Sequence, residues 1–130
     1  RPELYDDTRA LIARFGNDYW ITGVTVTTIF ETAWALRGLE ALLMDFITDP
    51  GRADRILDIP FRYHLEAAKE LVRLGVDMIW TGDDFGTQHG MVIAPETWRK
   101  FFKPRNAKFI DMIRKVTDAP ILVHSCGSVY

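Results

Sequence analysis

The sequence predicts an α/β protein, specifically part of a (β/α)8 TIM barrel with about three βα units. Short apolar runs rich in β-branched and aromatic residues alternate with longer stretches of helical periodicity, a pattern typical of parallel strands joined by helical crossovers. No glycine-rich phosphate loop follows the first predicted strand, which disfavours a doubly wound nucleotide-binding sheet. The chain has 130 residues, whereas a full barrel takes roughly 250. We therefore expect residues 1–130 to be a fragment of one barrel domain, incomplete at both ends.

The first third of the chain carries one predicted strand between helical segments. Apolar residues at helical spacing over 3–15, followed by the stop signal Gly16, predict the first helix. Aromatic and β-branched residues fill Tyr19–Val24, which predicts the first strand. Residues 25–34 are ambiguous, because their β-branched side chains oppose a helix while their length and position favour one. An apolar stripe over 39–47 predicts the next helix.

A long helical region starts at Asp49, a helix-capping residue that is followed directly by proline. Helical periodicity continues to Leu74, and Pro60 inside it predicts a kink or a restart because proline lacks a backbone N–H. Gly75 is expected to end the region as a left-handed residue. The apolar run Val76–Trp80 then predicts the second strand.

The last part of the chain contains a polar loop, two helices and a third strand. The loop covers residues 81–90 and is rich in glycine and polar side chains. Helical spacing resumes after Ala94, and Pro104 is expected to restart the helix. Pro120 then opens the short apolar run 121–123, which predicts a buried strand.

Composition and charge exclude several functional classes. The 16 basic and 18 acidic residues give a formal net charge of -2, so no basic field is available for nucleic acid or a membrane surface. No apolar run in residues 1–130 is long enough to span a bilayer, and we expect no signal peptide. The single cysteine excludes an internal disulfide, so we predict a reducing, cytoplasmic location.

The functional site is predicted at the carboxyl ends of the three strands, where (β/α)8 barrels carry their chemistry. These ends are expected at Thr22–Gly23, Thr81–Asp84 and His124–Cys126. His124 and Cys126 are two positions apart, so an extended backbone points both side chains to the same side. An imidazole and a thiol placed together can form half of a metal site. The alternative for Cys126 is a small buried residue without a ligand role.

Other polar residues near these strand ends are candidates for catalysis and substrate binding. Asp83 and Asp84 are candidate catalytic carboxylates, and the alternative for them is a helix cap or loop solvation. Gln88, His89 and Thr22 are candidate substrate-binding residues. Plain solvent exposure is the alternative for Gln88 and His89.

Several segments match, in order and spacing, a known family. The main ones are Gly82–Gln88, Ile93–Trp98, Phe102–Arg105 and His124–Gly127, with Trp34–Gly38 and Asp49–Pro50 upstream. Together they resemble the uroporphyrinogen decarboxylase superfamily, and the resemblance covers most of the chain. That superfamily has a (β/α)8 barrel, so the resemblance implies the same fold that the periodicity predicts.

The resemblance is strongest to the methyltransferases of this superfamily, which move a methyl group between a corrinoid (cobalamin) protein and a thiol or methoxylated compound. Many of them use zinc held by a His-x-Cys pair and a later cysteine. The resemblance therefore implies that His124 and Cys126 bind zinc, with a third protein ligand beyond Tyr130. It implies a corrinoid protein or a small-molecule methyl donor or acceptor as partner, and it allows a homodimer. Asp84 would contact substrate, support His124 or bind zinc itself.

Two alternatives to methyl transfer remain open. The decarboxylases of the superfamily remove carboxyl groups from a tetrapyrrole in porphyrin and haem biosynthesis, without a cofactor. Their middle-region tyrosine would fall near Phe30–Glu31, where no tyrosine stands, and no basic cluster marks the strand ends for a carboxyl-rich substrate. We therefore favour methyl transfer over decarboxylation. The other alternative is a relative that binds a corrinoid or a partner protein without turnover.

Overall fold

The computed structural model describes residues 2–129, and its sheet has three parallel strands in the order β1-β2-β3. The strands are Thr22–Val26 (β1), Met78–Gly82 (β2) and Ile121–His124 (β3). Each strand pairs with the next one along the chain, without the reversal of order that marks a doubly wound sheet. The predicted α/β class and the partial TIM barrel are thus confirmed.

Helices fill the connections between the strands, as the periodicity predicts. A turn of 3₁₀ helix at Pro2–Tyr5 comes before the first α-helix. The α-helices are Asp6–Phe15 (α1), Phe30–Arg37 (α2), Leu39–Thr48 (α3), Pro50–Leu74 (α4), Pro95–Phe101 (α5) and Lys103–Arg114 (α6). Over residues 2–129, no helix combines the length and apolar character needed to cross a membrane.

The first two strands lie further along the chain than predicted. Tyr19 and Trp20 remain 66% and 64% exposed in the connection that precedes β1. Their strand propensity has no effect there, because aromatic residues favour strands by packing on a half-buried surface. Thr22 is consequently the first residue of β1, and the strand ends at Val26. The second strand likewise ends at Gly82 and not at Trp80.

The long helix α4 is continuous, so the kink or restart predicted at Pro60 is wrong. Pro60 is fully buried, and the neighbouring Leu57 and Phe61 belong to the same core. Burial on both sides of the proline holds the helix together despite one missing backbone hydrogen bond. Gly75 ends α4 in the left-handed conformation with φ at 91°, as predicted. The predicted restart near Pro104 is also confirmed, since α5 ends at Phe101 and α6 follows.

A cluster of phenylalanine rings joins α2, α3 and α5 to the loop after β2. Phe30 stacks on Phe85 with ring centroids 5.4 Å apart, and Phe102 lies edge-on to both, at 5.4 and 5.0 Å. Phe46 of α3 packs against Phe101 at 4.9 Å. Aromatic pairs of this kind contribute about 0.5–1.5 kcal/mol each beyond simple burial. They fix the first turn of α2 beside the residues that follow β2.

The two faces of the sheet differ sharply in exposure. Helix α4 packs against β1 and β2, and Ile79 and Thr81 are buried on that face. The opposite face carries Val24, Trp80 and Leu122, which are paired in register across the three strands and are 51%, 36% and 47% exposed. Alternation places His124 on this open apolar face with Leu122, and the Trp80 and His124 rings are 6.4 Å apart, edge to face.

Candidate metal centre

The candidate site begins where β2 and β3 end side by side. Gly82 pairs with His124 in the sheet, and its φ of 152° is one that residues with a side chain rarely adopt. A Cβ atom at this position would lie 2.1 Å from the His124 carbonyl oxygen. Only glycine therefore allows this approach, which brings the loop after β2 next to His124 and Cys126.

Three potential metal ligands converge at this point. Oxygen, nitrogen and sulfur donors of Asp84, His124 and Cys126 all lie within 4.8 Å of one another. His124 Nε2 is 3.0 Å from Cys126 Sγ and 3.5 Å from Asp84 Oδ1. Zinc–nitrogen and zinc–sulfur bonds of about 2.0–2.3 Å imply donors roughly 3–4 Å apart around a tetrahedral ion. The spacing and the chemistry of the three donors therefore fit zinc.

Asp84 connects the two loops that form the site. Its Oδ1 accepts the backbone N–H of Cys126 at 2.9 Å, and its side chain is 40% exposed. A hydrogen bond to Asp84 raises the pKa of the Cys126 thiol above its ordinary value, with burial and the charges of Asp84 and Glu31 adding to the effect. The carboxylate charge around Cys126 attracts a cation, and a bound cation would in turn neutralise that charge and lower the pKa of the thiol.

Asp83 points away from solvent and caps α2. Its side chain is only 4% exposed, and its carboxylate accepts the backbone N–H groups of Ile29 at 2.8 Å and Glu31 at 3.1 Å. Burial raises the pKa of Asp83 to about 7, although hydrogen bonds from the backbone of α2 act in the opposite direction. The structure thus supports the helix-cap interpretation of this residue. A catalytic role for Asp83 stays a prediction.

The three candidate substrate-binding residues lie outside the group of donors. Thr22 begins β1, four residues before Val26, and therefore about 13 Å from the carboxyl end of the strand at 3.3 Å per residue. The prediction that the first strand ends at Thr22 is wrong, because the strand starts there. Gln88 and His89 are exposed at the tip of a turn that Thr87 closes, with its hydroxyl accepting the backbone N–H of His89. Their role in substrate binding stays a prediction.

Two residues of the ambiguous stretch 25–34 reach the site and were missed. The Thr28 hydroxyl lies 2.7 Å from that of Thr81, and Glu31 Oε2 accepts the backbone N–H of Asp84 at 3.2 Å. Both follow the true carboxyl end of β1, which is the position that carries function in barrels. Placing that strand end at Val26 would have identified them.

A cavity of about 420 Å³ adjoins the site on the helix-bearing side of the sheet. Apolar side chains such as Phe85, Trp98 and Phe109 form most of its wall. His124 and Ser125 also line it, so it borders the candidate metal site. Ser125 Oγ further accepts the backbone N–H of Phe85 at 3.2 Å, which ties the loop after β3 to the loop after β2.

Comparison with known proteins gives a matching family and a solved structure with a similar fold. The family described as "Uroporphyrinogen decarboxylase (URO-D)" matches residues 2–130. A solved structure, a methyltransferase from Methanosarcina mazei, superposes with a TM-score of 0.76 at 21% sequence identity. The superposition covers 97% of this chain and 35% of that one, so this chain spans about a third of the length of that methyltransferase. No curated protein sequence matches this chain.

Proposed function

Because this chain belongs to the uroporphyrinogen decarboxylase family, we propose that it forms part of a zinc-dependent enzyme that transfers a methyl group between a corrinoid protein and a thiol or methoxylated small molecule. The observation that carries the proposal is the convergence of Asp84, His124 and Cys126 at the ends of two neighbouring strands. The fold shared with a methyltransferase from Methanosarcina mazei supports it.

The side chains of Asp84, His124 and Cys126 would hold the zinc, together with a further protein ligand expected beyond Tyr130 from the family resemblance. A zinc ion held by such ligands lowers the pKa of a substrate thiol that binds to it and keeps that thiol as a thiolate, a strong nucleophile at neutral pH. Asp84 fixes the backbone of Cys126 through its hydrogen bond. Trp80 packs edge-on against the His124 ring and so restricts the orientation of the imidazole.

The surroundings of the donors favour methyl transfer over decarboxylation. The carboxylates of Glu31 and Asp84 place negative charge on the Cys126 thiol. A substrate rich in carboxyl groups would be repelled by these charges, whereas a cation would be attracted.

A corrinoid protein is the proposed partner in this reaction, with a small thiol or methoxylated compound as the second substrate. When a thiolate takes the methyl group, a carbon–sulfur bond forms, the cobalt–carbon bond breaks, and its electron pair stays on cobalt. The free thiol of Cys126 in the proposed site requires a reducing compartment, so the cytoplasm is the proposed location. A homodimer stays a prediction.

Zinc content is the first test of this proposal. The protein is purified without added metal, and zinc is measured by mass spectrometry for the wild type, Cys126→Ser, His124→Ala and the matched control His89→Ala. We expect about one zinc per chain in the wild type and the control, and a clear loss in the two site variants. Absence of zinc from the wild type would remove the basis of the proposal and favour the cofactor-free decarboxylase.

Methyl transfer itself is tested with methylcobalamin and a simple thiol. We expect the methylcobalamin absorbance to fall with the wild type and with Glu40→Ala, which removes an exposed glutamate of α3, and to persist with Cys126→Ser. Uroporphyrinogen serves as the competing substrate in the same series. Its decarboxylation at equal rates by the wild type and Cys126→Ser, without methyl transfer, would contradict the proposed function.

A further inference from the structure

We infer that Glu31 is a positioning residue for the candidate zinc site: its carboxylate holds the backbone of Asp84 and thereby fixes how Asp84, His124 and Cys126 converge. The inference rests on the proposed function, because it concerns the same site. It assigns a role to a residue that lies in a different βα connection from the three donors.

Glu31 takes part in a reciprocal exchange of hydrogen bonds between two segments. The backbone N–H of Glu31 donates to Asp83 Oδ1 at 3.1 Å, and the backbone N–H of Asp84 donates to Glu31 Oε2 at 3.2 Å. The first turn of α2 and the residues after β2 therefore hold each other in both directions. Since 52 and 53 positions separate these residues along the chain, local chain geometry does not produce the contacts.

The backbone that carries Glu31 is itself firmly held. Thr28, only 3% exposed, donates its N–H to the Gly82 carbonyl at 3.0 Å, while its hydroxyl accepts the Gly82 N–H at 3.2 Å. The stacked rings of Phe30 and Phe85 join the same two segments. The backbone around Glu31 is therefore held in place, so the Glu31 carboxylate can hold the Asp84 N–H that it accepts.

Asp84 passes this constraint on to the other two donors. Its backbone is bound by Glu31, and its carboxylate accepts the N–H of Cys126 at 2.9 Å and lies 3.5 Å from His124 Nε2. Loss of the Glu31 hydrogen bond would free the backbone on which that carboxylate stands. Metal affinity depends strongly on partners that orient the ligands in this way, typically by 10–100-fold.

The test is the zinc dissociation constant of the folded protein, measured by competition with a chromophoric chelator. We expect Glu31→Ala to weaken zinc binding about 10–100-fold, while Glu31→Gln stays close to the wild type because its amide oxygen still accepts the Asp84 N–H. Glu40→Ala, which removes an exposed glutamate from the first turn of α3, is the matched control and should not change the affinity. Unchanged affinity in Glu31→Ala would overturn the inference, and so would equal losses in the Ala and Gln variants, which would assign the effect to charge.

Two further measurements separate positioning from a purely structural role. A structural role would lower the melting temperature of metal-free Glu31→Ala and leave its zinc affinity unchanged, which contradicts the inference. If Glu31→Ala does not fold, Glu31→Asp replaces it, because the shorter side chain withdraws its oxygen from the Asp84 N–H, and wild-type affinity in that variant would overturn the inference. A wild type that binds no zinc refutes the proposed function as well, whereas tight binding by both wild type and Glu31→Ala removes only the role of Glu31.

Discussion

Replacing Asp83 by alanine should destabilise the protein strongly, because it leaves one buried and one partly buried backbone donor without partners. The N–H groups of Ile29 and Glu31 both donate to its carboxylate, which is 4% exposed. The buried donor left unpaired costs about 1–3 kcal/mol and the partly buried donor about 0.5–1.5 kcal/mol, so the free energy of unfolding should fall by about 1.5–4.5 kcal/mol. Domains of ordinary stability have only about 5–15 kcal/mol in total. The loss would therefore remove a large share of the stability.

Asp77 provides a matched control at the opposite end of the same strand. Its carboxylate also accepts a backbone N–H, that of Ile21 at 2.7 Å, but in an exposed position. Water can replace the lost hydrogen bond there, so Asp77→Ala should cost only about 0.5–1.5 kcal/mol. Asp83→Asn keeps one acceptor oxygen and should fall between the two alanine variants.

Urea denaturation followed by circular dichroism measures these free energies, in metal-free protein so that zinc binding does not contribute. Linear extrapolation gives the free energy of unfolding of each variant, and equal slopes confirm that the same transition is compared. A loss in Asp83→Ala no larger than in Asp77→Ala would refute the view that burial makes the Asp83 cap important. It would also weaken the case that the first turn of α2 is held by this residue.

Two further predictions concern a close backbone contact and a half-buried histidine. Gly82→Ala places a Cβ atom 2.1 Å from the His124 carbonyl oxygen, so it should cost about 2–3 kcal/mol or more and abolish zinc binding. Gly90→Ala is the matched control, because Gly90 has a similar positive φ but no atom within 4 Å of an added Cβ. Equal melting temperatures and zinc contents in the two variants would contradict a clash at Gly82. Burial of the neutral His64 ring lowers its pKa below the ordinary value of 6.5. The stabilisation from the neutral ring is therefore complete above pH 6.5, and it is lost as the pH falls from there through the lowered pKa of the folded protein. His64→Gln should therefore flatten the decline in denaturation midpoint on acidification while the exposed-histidine variant His89→Gln keeps it, and equal declines in both would refute this.

Much of the fold could be predicted from sequence because its signals are local. Helical periodicity, the left-handed Gly75 and the break before Pro104 each depend on a few neighbouring residues, and all three are confirmed. The strand ends were misplaced because exposure, which decides whether Tyr19 and Trp20 join a strand, depends on distant packing. Packing likewise keeps α4 continuous through Pro60.

The candidate site was predictable only in part. The spacing of His124 and Cys126 is a local pattern, and it indicates a shared side of the strand end. Convergence with Asp84 depends on the register between β2 and β3, which no local pattern shows. A correct strand end would have marked Glu31 as a residue near the site, but its specific contact to Asp84 could not be predicted, because that contact crosses 53 positions.

The hydrogen bonds that assemble the site have a consequence for the order of folding. Those that join Ile29, Glu31 and Cys126 to the aspartates after β2 span between 42 and 54 positions, whereas α4 consists of contacts within a single segment. Closing long loops costs entropy before it yields contacts, so helices form early and distant pairings late. A refolding chain should therefore regain its helical circular dichroism before it can bind a cation. Metal capture would then report that the long-range pairing of the chain is complete.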